Sequence, residues 1–194
     1  MNPIIQENGF YRIEINPVNA AILQICEKNS GLTLISDQRL GEGFRILLPL
    51  PDYECNYIYG NAQKKPEIEQ KETSVEFYWG SPLVNEKGSF ALDFRLNILL
   101  EDQKVVFRCS SRNNTNYQIA EVWFGFIGGM DGLGKTQELK RETEILIPTG
   151  NLPWTKKIFE DFGNTRGQTL GCLSPEHTFH YPGFLCMPWI AIFN

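Results

Sequence analysis

The sequence predicts an all-β protein, an antiparallel two-layer β-sandwich, on three observations. Large apolar residues occupy every second position of the segment SFALDFRLNILL from Phe90 to Leu100, and a period of two is typical of a strand with one buried face. Aromatic residues make up 12% of the chain, with 17 glycines and 11 prolines, which favours sheets joined by tight turns. Helical patterns are scarce, and the best of them, TQELKRETE, has Leu139 as its only apolar residue.

The first strands are predicted close to the N-terminus. In YRIEIN, the apolar or aromatic residues Tyr11, Ile13 and Ile15 alternate with polar neighbours. The segment AILQICEKNSGLTLIS then has two apolar runs on either side of residues 28–31, where Gly31 can adopt a positive φ. This pattern predicts a β-hairpin.

The middle of the chain predicts the longest hairpin. SVEFYWG first places its residues 75, 77 and 79 on one face. Six apolar residues then alternate without a break: Phe90, Leu92, Phe94, Leu96, Ile98 and Leu100. Residues 101–103 form the turn, and the apolar face continues on the returning strand with Val105, Phe107 and Cys109. We expect one dry face on this hairpin.

The remaining strands are predicted at AEVWFGFIG, at TEILIPTG and at FLCMPWIAIF, where Pro188 interrupts the last segment. The sequence has no internal repeat, no low-complexity segment and no linker long enough to divide it. At 194 residues, the chain has the size of one ordinary domain. We therefore predict a single β-sandwich domain over residues 1–194.

Charge and cysteine content limit the classes of function. The net charge of −5 and the lack of a Lys/Arg-rich run disfavour nucleic-acid binding. The longest apolar run, GFLCMPWIAIF, is shorter than the roughly 20 residues that span a bilayer. Five cysteines without a C-x-x-C pair suit a reducing compartment. The protein is expected to be cytoplasmic if its N-terminus is native, and periplasmic or secreted if a signal peptide has been removed.

The segment GGMDGLGKT matches the phosphate-binding pattern G-x-x-x-x-G-K-[ST] from Gly129 to Thr136. A phosphate-binding loop follows a buried parallel strand and opens a long helix whose N–H groups meet the phosphates. Here the segment after Thr136 is short and highly charged, and no later apolar strand ends in an aspartate that could hold magnesium. We interpret the match as a glycine-rich loop with Lys135 in solvent, and expect no nucleotide.

The sequence contains only weak signals for metal binding and nucleophilic catalysis. The segment CLSPEHTFHYPGFLC contains both histidines and two cysteines: Cys172, His177, His180 and Cys186. Residues three apart on a strand point to opposite faces, so the two histidines are not expected to share a zinc ion. No G-x-S-x-G elbow is present. The sequence predicts no metal, no cofactor and no identifiable catalytic residue.

A polar and aromatic concentration in residues 150–189 is the remaining candidate for a site. Flat rings and planar donors suit a sugar ring, which has an apolar face and a rim of hydroxyls. The predicted carbohydrate-binding residues are Trp154, Asn164, Arg166, His180 and Tyr181. The alternative is that these aromatic residues fill the sandwich core and that Arg166 pairs with a carboxylate.

Several phrases resemble one known family. EINPVNAAILQICEKNSGLTLISD, GFRILLPLPDYECNYIYG, AEVWFGFIGGMDGLG, IPTGNLPW and FGNTRGQ together cover most of the chain. They resemble the galactose-mutarotase-like β-supersandwich domains found at the N-terminal side of large bacterial glycoside-hydrolase-like proteins. The resemblance implies a supersandwich fold and an accessory role beside a separate catalytic domain.

Two departures from this family affect the expected function. Sugar mutarotases use a histidine and a glutamate as acid and base, but neither His177 nor His180 lies in a phrase that matches that motif, so no catalytic residue is carried over. The chain is also shorter than such domains, which favours a fragment of a longer multidomain protein.

Three functions follow from these observations. The first is a non-catalytic accessory or carbohydrate-contacting domain of a glycan-processing protein, whose partner is a carbohydrate or a neighbouring catalytic domain. The second is a stand-alone sugar epimerase or glycosidase that uses His180 with Glu160 or Asp161. The third is a purely structural platform on which another domain packs.

Overall fold

The computed structural model describes residues 2–35, 41–51, 54–130, 132–148, 153–157 and 190–193, with the backbone alone for 153–157. Almost all regular structure in these residues is β-strand. The strands are β1 (Ile4–Glu7), β2 (Tyr11–Ile15), β3 (Ile22–Glu27), β4 (Leu32–Thr33), β5 (Phe44–Leu47), β6 (Tyr57–Tyr59), β7 (Glu67–Gln70), β8 (Ser74–Trp79), β9 (Leu83–Asn85), β10 (Gly88–Phe90), β11 (Leu92–Glu101), β12 (Lys104–Asn113), β13 (Glu121–Phe124), β14 (Glu144–Pro148), β15 (Pro153–Lys157) and β16 (Ala191–Phe193). One α-helix, α1 (Gln137–Arg141), and one 3-10 turn, Gly60–Ala62, complete the described elements.

The described residues fall into two compact units, Met1–Met130 and Asp131–Asn194. The first unit contains four antiparallel sheets, with the strand orders β1-β2-β3-β4, β12-β11-β8-β7, β13-β5-β6 and β10-β9. The second unit contains the sheet β15-β14-β16, also antiparallel. The assignment of residues 1–194 to a single domain stays a prediction.

Buried side chains from the three larger sheets of the first unit form one hydrophobic core. Its centre is aromatic: the ring of Phe44 on β5 stacks on Phe94 of β11 at 4.2 Å between centroids and meets Trp79 of β8 edge-on at 4.8 Å. Two sheets packed face to face in this way form a β-sandwich. The predicted all-β fold class is confirmed.

The first strand of the long hairpin has the predicted alternation, whereas the apolar residues predicted to continue its dry face on β12 are only half-buried. All six apolar residues from Phe90 to Leu100 are at most 7% exposed. The turn is tighter than the sequence suggested, because Glu101 still pairs with Lys104. Asp102 and Gln103 alone connect β11 to β12, and Asp102 adopts a φ of 42°. The predicted hairpin between β3 and β4 is also present, with Gly31 at a φ of 70°.

Two glycines allow β5 to lie where it does. A β-carbon on Gly43, just before β5, would overlap the backbone carbonyl oxygen of Asn19. A β-carbon on Gly60, just after β6, would come within 2.8 Å of the Phe44 ring. Both approaches are closer than a side chain permits, so glycine at these positions lets the β13-β5-β6 sheet close onto the core.

The glycine-rich loop before α1 has the structure of a turn. Gly132 and Gly134 adopt φ angles of 96° and 132°. The Thr143 hydroxyl accepts a hydrogen bond from the backbone N–H of Leu133 at 2.7 Å, so this loop amide is used within the protein. Helix α1 has only five residues, and the strands before and after it, β13 and β14, belong to different antiparallel sheets. None of the helices in the described part of the chain is long and apolar enough to cross a membrane.

Candidate functional site

The sequence-predicted site lies almost entirely outside the described residues. Trp154 is in β15, where its backbone pairs with Ile147 of β14. The other predicted sugar contacts, Asn164, Arg166, His180 and Tyr181, and the alternative acid–base residues Glu160 and Asp161, are outside the described ranges. The proposed sugar contacts and the enzyme hypothesis therefore stay predictions.

The structure brings together a different group on the outer face of the β13-β5-β6 sheet. Alternation along β5 turns Phe44 and Ile46 into the core, where both are fully buried, and turns Arg45 outward. The register places Arg45 directly between Tyr59 of β6 and Trp123 of β13. Cross-strand neighbours of this kind are close enough for their side chains to interact.

Four aromatic rings surround the Arg45 guanidinium. Its central carbon lies 5.0 Å from the ring centroid of Tyr59, 5.9 Å from those of Tyr57 and Trp123, and 5.8 Å from that of Phe126. These are cation–π distances. The tyrosines form one side of the group and the nearly parallel Trp123 and Phe126 rings, 11° apart, form the other. We call these five residues the aromatic–arginine patch.

The orientation of Arg45 is fixed by a buried carboxylate. Glu42 is 8% exposed, and its Oε2 accepts a hydrogen bond from Arg45 Nη2 at 2.8 Å. Among the described residues, Glu42 Oε1 and Arg45 Nε are buried without a hydrogen-bond partner. The arginine side chain is still 33% exposed. It therefore joins a buried ion pair to the surface of the patch.

A second carboxylate borders the patch on β13. The indole Nε1 of Trp123 donates a hydrogen bond to Glu121 Oε2 at 2.8 Å, which fixes the plane of the ring. Burial raises the pKa of Tyr57, and the negative charge of Glu121 raises that pKa further. The Tyr57 phenol is therefore neutral at physiological pH and can donate a hydrogen bond.

The loop between β5 and β6 is held by an asparagine pair. Asn56 is fully buried, and its Nδ2 donates to the carbonyl of Leu48 at 3.0 Å. Asn85 donates to Asn56 Oδ1 at 2.6 Å and to the carbonyl of Tyr57 at 2.9 Å. These bonds fix the backbone where the tyrosine side of the patch begins, so the patch is built on rigid elements.

The outer face of the β12-β11-β8-β7 sheet has a polar groove. Arg95 of β11 lies 4.0 Å above the Tyr78 ring of β8 and forms an ion pair with Glu76 at 2.8 Å. Cavities of about 220 and 260 Å³ adjoin Tyr78. Glu67, Glu69 and Glu76 line the first of them. Tyr78 is the one aromatic side chain lining these cavities that is not buried, whereas the aromatic–arginine patch has four rings, so this groove offers a sugar ring less stacking surface.

The side chains of the patch have the chemistry that a ring-shaped polar ligand requires. Aromatic faces stack on the apolar side of a pyranose, and the guanidinium, the phenols and Glu121 can bond hydroxyls at its edge. In the described ranges, no group of three His, Cys, Asp or Glu side chains could hold a metal ion. Both histidines lie outside those ranges, so the absence of a metal stays a prediction.

Sequence inspection missed the patch because its members are far apart along the chain. Arg45, Tyr57 and Trp123 come from three segments that meet only in the sheet. The available signal was local: Arg45 stands between two core residues, and Tyr57 and Tyr59 flank the apolar Ile58. Such alternation indicates which residues point outward, but it does not indicate which strands are neighbours.

Comparison with known proteins identifies the fold. No protein-family model matches the sequence, and no curated protein matches it significantly. The structure is similar to that of a galactose mutarotase-like protein from Lactobacillus casei ATCC 334, with a TM-score of 0.53 and 9% sequence identity. The match covers 77% of this chain and 57% of that one, so the chain spans little more than half of that protein. At this identity the similarity shows the fold, which is galactose-mutarotase-like as the resemblance predicted.

Proposed function

We propose that this galactose-mutarotase-like β-sandwich is a carbohydrate-contacting domain of a glycan-processing protein, and that the aromatic–arginine patch makes the contact. The observation that carries the proposal is the set of four rings around one outward-facing arginine, three on the strands of the β13-β5-β6 sheet and Phe126 just after β13. A sugar requires both of these features, since rings stack on its C–H face and charged or polar groups bind its hydroxyls. The domain is proposed to bind without catalysis and to act beside a catalytic domain.

The fold is compatible with the proposal. The similar solved protein is described as galactose mutarotase-like, but one fold can carry many functions, so the proposal rests on the residues of the patch. Binding is expected to be weak, because a sheet surface buries less of a ligand than a cleft does. We expect affinities in the range of about 0.1 to 1 mM.

The test is a glycan array followed by calorimetric titration of the best oligosaccharide. Trp123→Ala and Tyr59→Ala are expected to weaken binding about tenfold or more, because each removes a stacking face from the patch. Tyr117→Ala is the matched control, since this tyrosine has a similar exposure, 36% against 38% for Tyr59, and is not part of the patch.

The sequence-predicted residue Trp154 provides the competing site. If Trp154→Ala abolishes binding and Trp123→Ala leaves it unchanged, the contact lies in residues 150–189 instead of the patch. If the array shows no ligand at all, the structural-platform hypothesis is favoured. Turnover of a sugar by the wild-type chain that is lost in His180→Ala would favour the enzyme hypothesis.

A further inference from the structure

The aromatic–arginine patch is arranged to stabilise positive charge. The π face of an aromatic ring carries a partial negative charge and attracts cations. In this structure the four rings already lie around a cation, the Arg45 guanidinium, at 5.0 to 5.9 Å. Tyr59 is 38% exposed and the other three rings are half-buried, so a ligand can reach part of each ring. A positively charged group on that ligand is therefore favoured, and a negatively charged group is disfavoured.

The charged residues around the patch also favour a positively charged ligand. Arg45 is paired with Glu42 at 2.8 Å, so its charge is compensated within the protein. Glu121 is a second carboxylate, and among the described residues no lysine or arginine lies within ion-pair distance of it. Taken with the two bordering carboxylates, Glu42 and Glu121, the single cation Arg45 leaves one negative charge uncompensated beside the patch.

Glu121 is also well placed to meet a ligand. It is half-buried beside the Trp123 ring, and its Oε2 is held by the indole N–H. The other carboxylate oxygen accepts no hydrogen bond from a described residue. A sugar stacked on Trp123 would bring the substituents at its edge close to this oxygen. An ammonium group there forms a charge-assisted hydrogen bond, which is stronger than a bond from a hydroxyl.

We propose that the aromatic–arginine patch recognises amino sugars with a free, protonated amine, in preference to N-acetylated and acidic sugars. This inference rests on the proposed carbohydrate-contacting function and specifies its ligand. The sugar ring would stack on Trp123, and its ammonium group would donate a hydrogen bond to Glu121. Acetylation removes the charge from the nitrogen, and the carboxylate of a uronic acid would be repelled by the carboxylate of Glu121.

Calorimetric titration with three defined tetrasaccharides tests the preference: β-1,4-linked glucosamine, its fully N-acetylated form and a galacturonate. At about pH 6 an amine of this kind is mostly protonated. We expect the glucosamine tetramer to bind about tenfold more tightly than the acetylated one, as a partly shielded cation–π and ion-pair contact can provide. The galacturonate is expected to bind more weakly than either.

Glu121→Gln is the decisive variant. Glutamine has the same shape, and its carbonyl can still accept the Trp123 hydrogen bond, so the ring should stay in place. The preference for the free amine is expected to disappear. Glu72→Gln is the matched control, because it removes one negative charge from an exposed residue in the turn between β7 and β8, outside the patch. In this control the preference should remain.

The outcomes separate this inference from the proposed function. If the acetylated or the acidic tetramer binds as tightly as the free amine, the amino-sugar inference is wrong, while carbohydrate contact at the patch stands. A preference that persists unchanged in Glu121→Gln also overturns the inference. If no saccharide binds the wild-type chain, both proposals fail.

Discussion

Phe94 and Arg95 are neighbours on β11 that lie in opposite surroundings. Phe94 is fully buried and stacks on Phe44 at 4.2 Å. Arg95 lies on the outer face, 4.0 Å from the Tyr78 ring, and forms an ion pair with Glu76. The alternation of the sequence predicts which of the two points inward. It does not predict the two contacts of Arg95, because both partners come from β8.

Substitutions at these two positions are expected to differ strongly in their effect on stability. Phe94→Ala should lower the free energy of unfolding by about 3 to 5 kcal/mol, because it leaves a cavity among packed rings. Arg95→Ala should cost about 1 kcal/mol, the value of an exposed cation–π and ion pair. Chemical denaturation measures both values. Equal costs at the two positions would mean that the strand register is wrong.

Alanine substitutions at two glycines should also differ in their effect on stability. Gly43→Ala is expected to lower the free energy of unfolding by at least about 1 to 3 kcal/mol, because the new methyl group would overlap the carbonyl of Asn19 and force the backbone to shift. Gly9→Ala has open space around the added carbon, and should be neutral or slightly stabilising through the unfolded chain. Thermal unfolding of both variants tests the packing of β5. Equal melting temperatures would contradict it.

Hydrogen bonds to Glu27 in the turn between β3 and β4 should make the stability of this turn depend on pH. Glu27 accepts hydrogen bonds from the Ser30 hydroxyl at 2.5 Å and from the Ser30 N–H at 2.7 Å. These bonds, with a third from the N–H of Asn29, lower the pKa of Glu27 below its ordinary value of 4.5. Because the pKa is lower in the folded protein, the ionised Glu27 stabilises the turn fully above pH 4.5, the ordinary pKa. This stabilisation is lost as the pH falls through the lowered pKa.

Ser30→Ala tests this effect, because the Ser30 hydroxyl contributes most to the shift. Titration of the Glu27 carboxyl by NMR should show its pKa moving back toward 4.5 in the variant. If the wild-type pKa is already at the ordinary value, the hydrogen bonds do not exist in solution.

At the scale of elements, the sequence predicted the strands whose pattern is long and local. The hairpins β3–β4 and β11–β12 and the strand β8 have clear alternation with adjacent turn residues, and all three are present. The short strands β1, β5, β6, β7 and β9 were not predicted, and the segment predicted as one strand from Phe90 to Leu100 is divided at Ala91 between β10 and β11. Strands of three or four residues contain too few alternations to stand out. Their positions are fixed by pairing with other strands.

The candidate site could not be predicted from the sequence for a related reason. The β13-β5-β6 sheet joins residues that are up to about 80 positions apart, and Trp123 meets Arg45 only through the ladder pairing. A one-residue slip of β13 would turn Trp123 away from the patch. The register of long-range strands is a property of the packed core, so a local pattern contains little information about it.

The glycine-rich loop before α1 is not expected to bind nucleotides. Magnesium-ATP and magnesium-GTP are expected not to bind, because the loop amide of Leu133 bonds Thr143 and the helix after Thr136 has a single turn and a half. Thermal-shift measurements with each nucleotide check this. Saturable stabilisation that disappears in Lys135→Ala would show that the sequence match marks a real site.

At the scale of the whole molecule, the fold places two different surfaces on the first unit. The outer face of β13-β5-β6 presents the aromatic–arginine patch, whereas the outer face of β12-β11-β8-β7 presents charged residues with Tyr78 and Arg95. The first surface combines stacking area with hydrogen-bonding groups, which is why the proposed carbohydrate contact is placed there. The galactose-mutarotase-like fold provides the framework but does not itself specify a ligand.

The most direct test of this account is a side-by-side calorimetric titration of Trp123→Ala, Trp154→Ala and the wild-type chain with the best oligosaccharide from the array. We predict that Trp123→Ala lowers the affinity about tenfold or more while its far-ultraviolet circular dichroism spectrum and melting temperature stay close to those of the wild type. Wild-type affinity in a folded Trp123→Ala protein would contradict the claim that the aromatic–arginine patch binds carbohydrate.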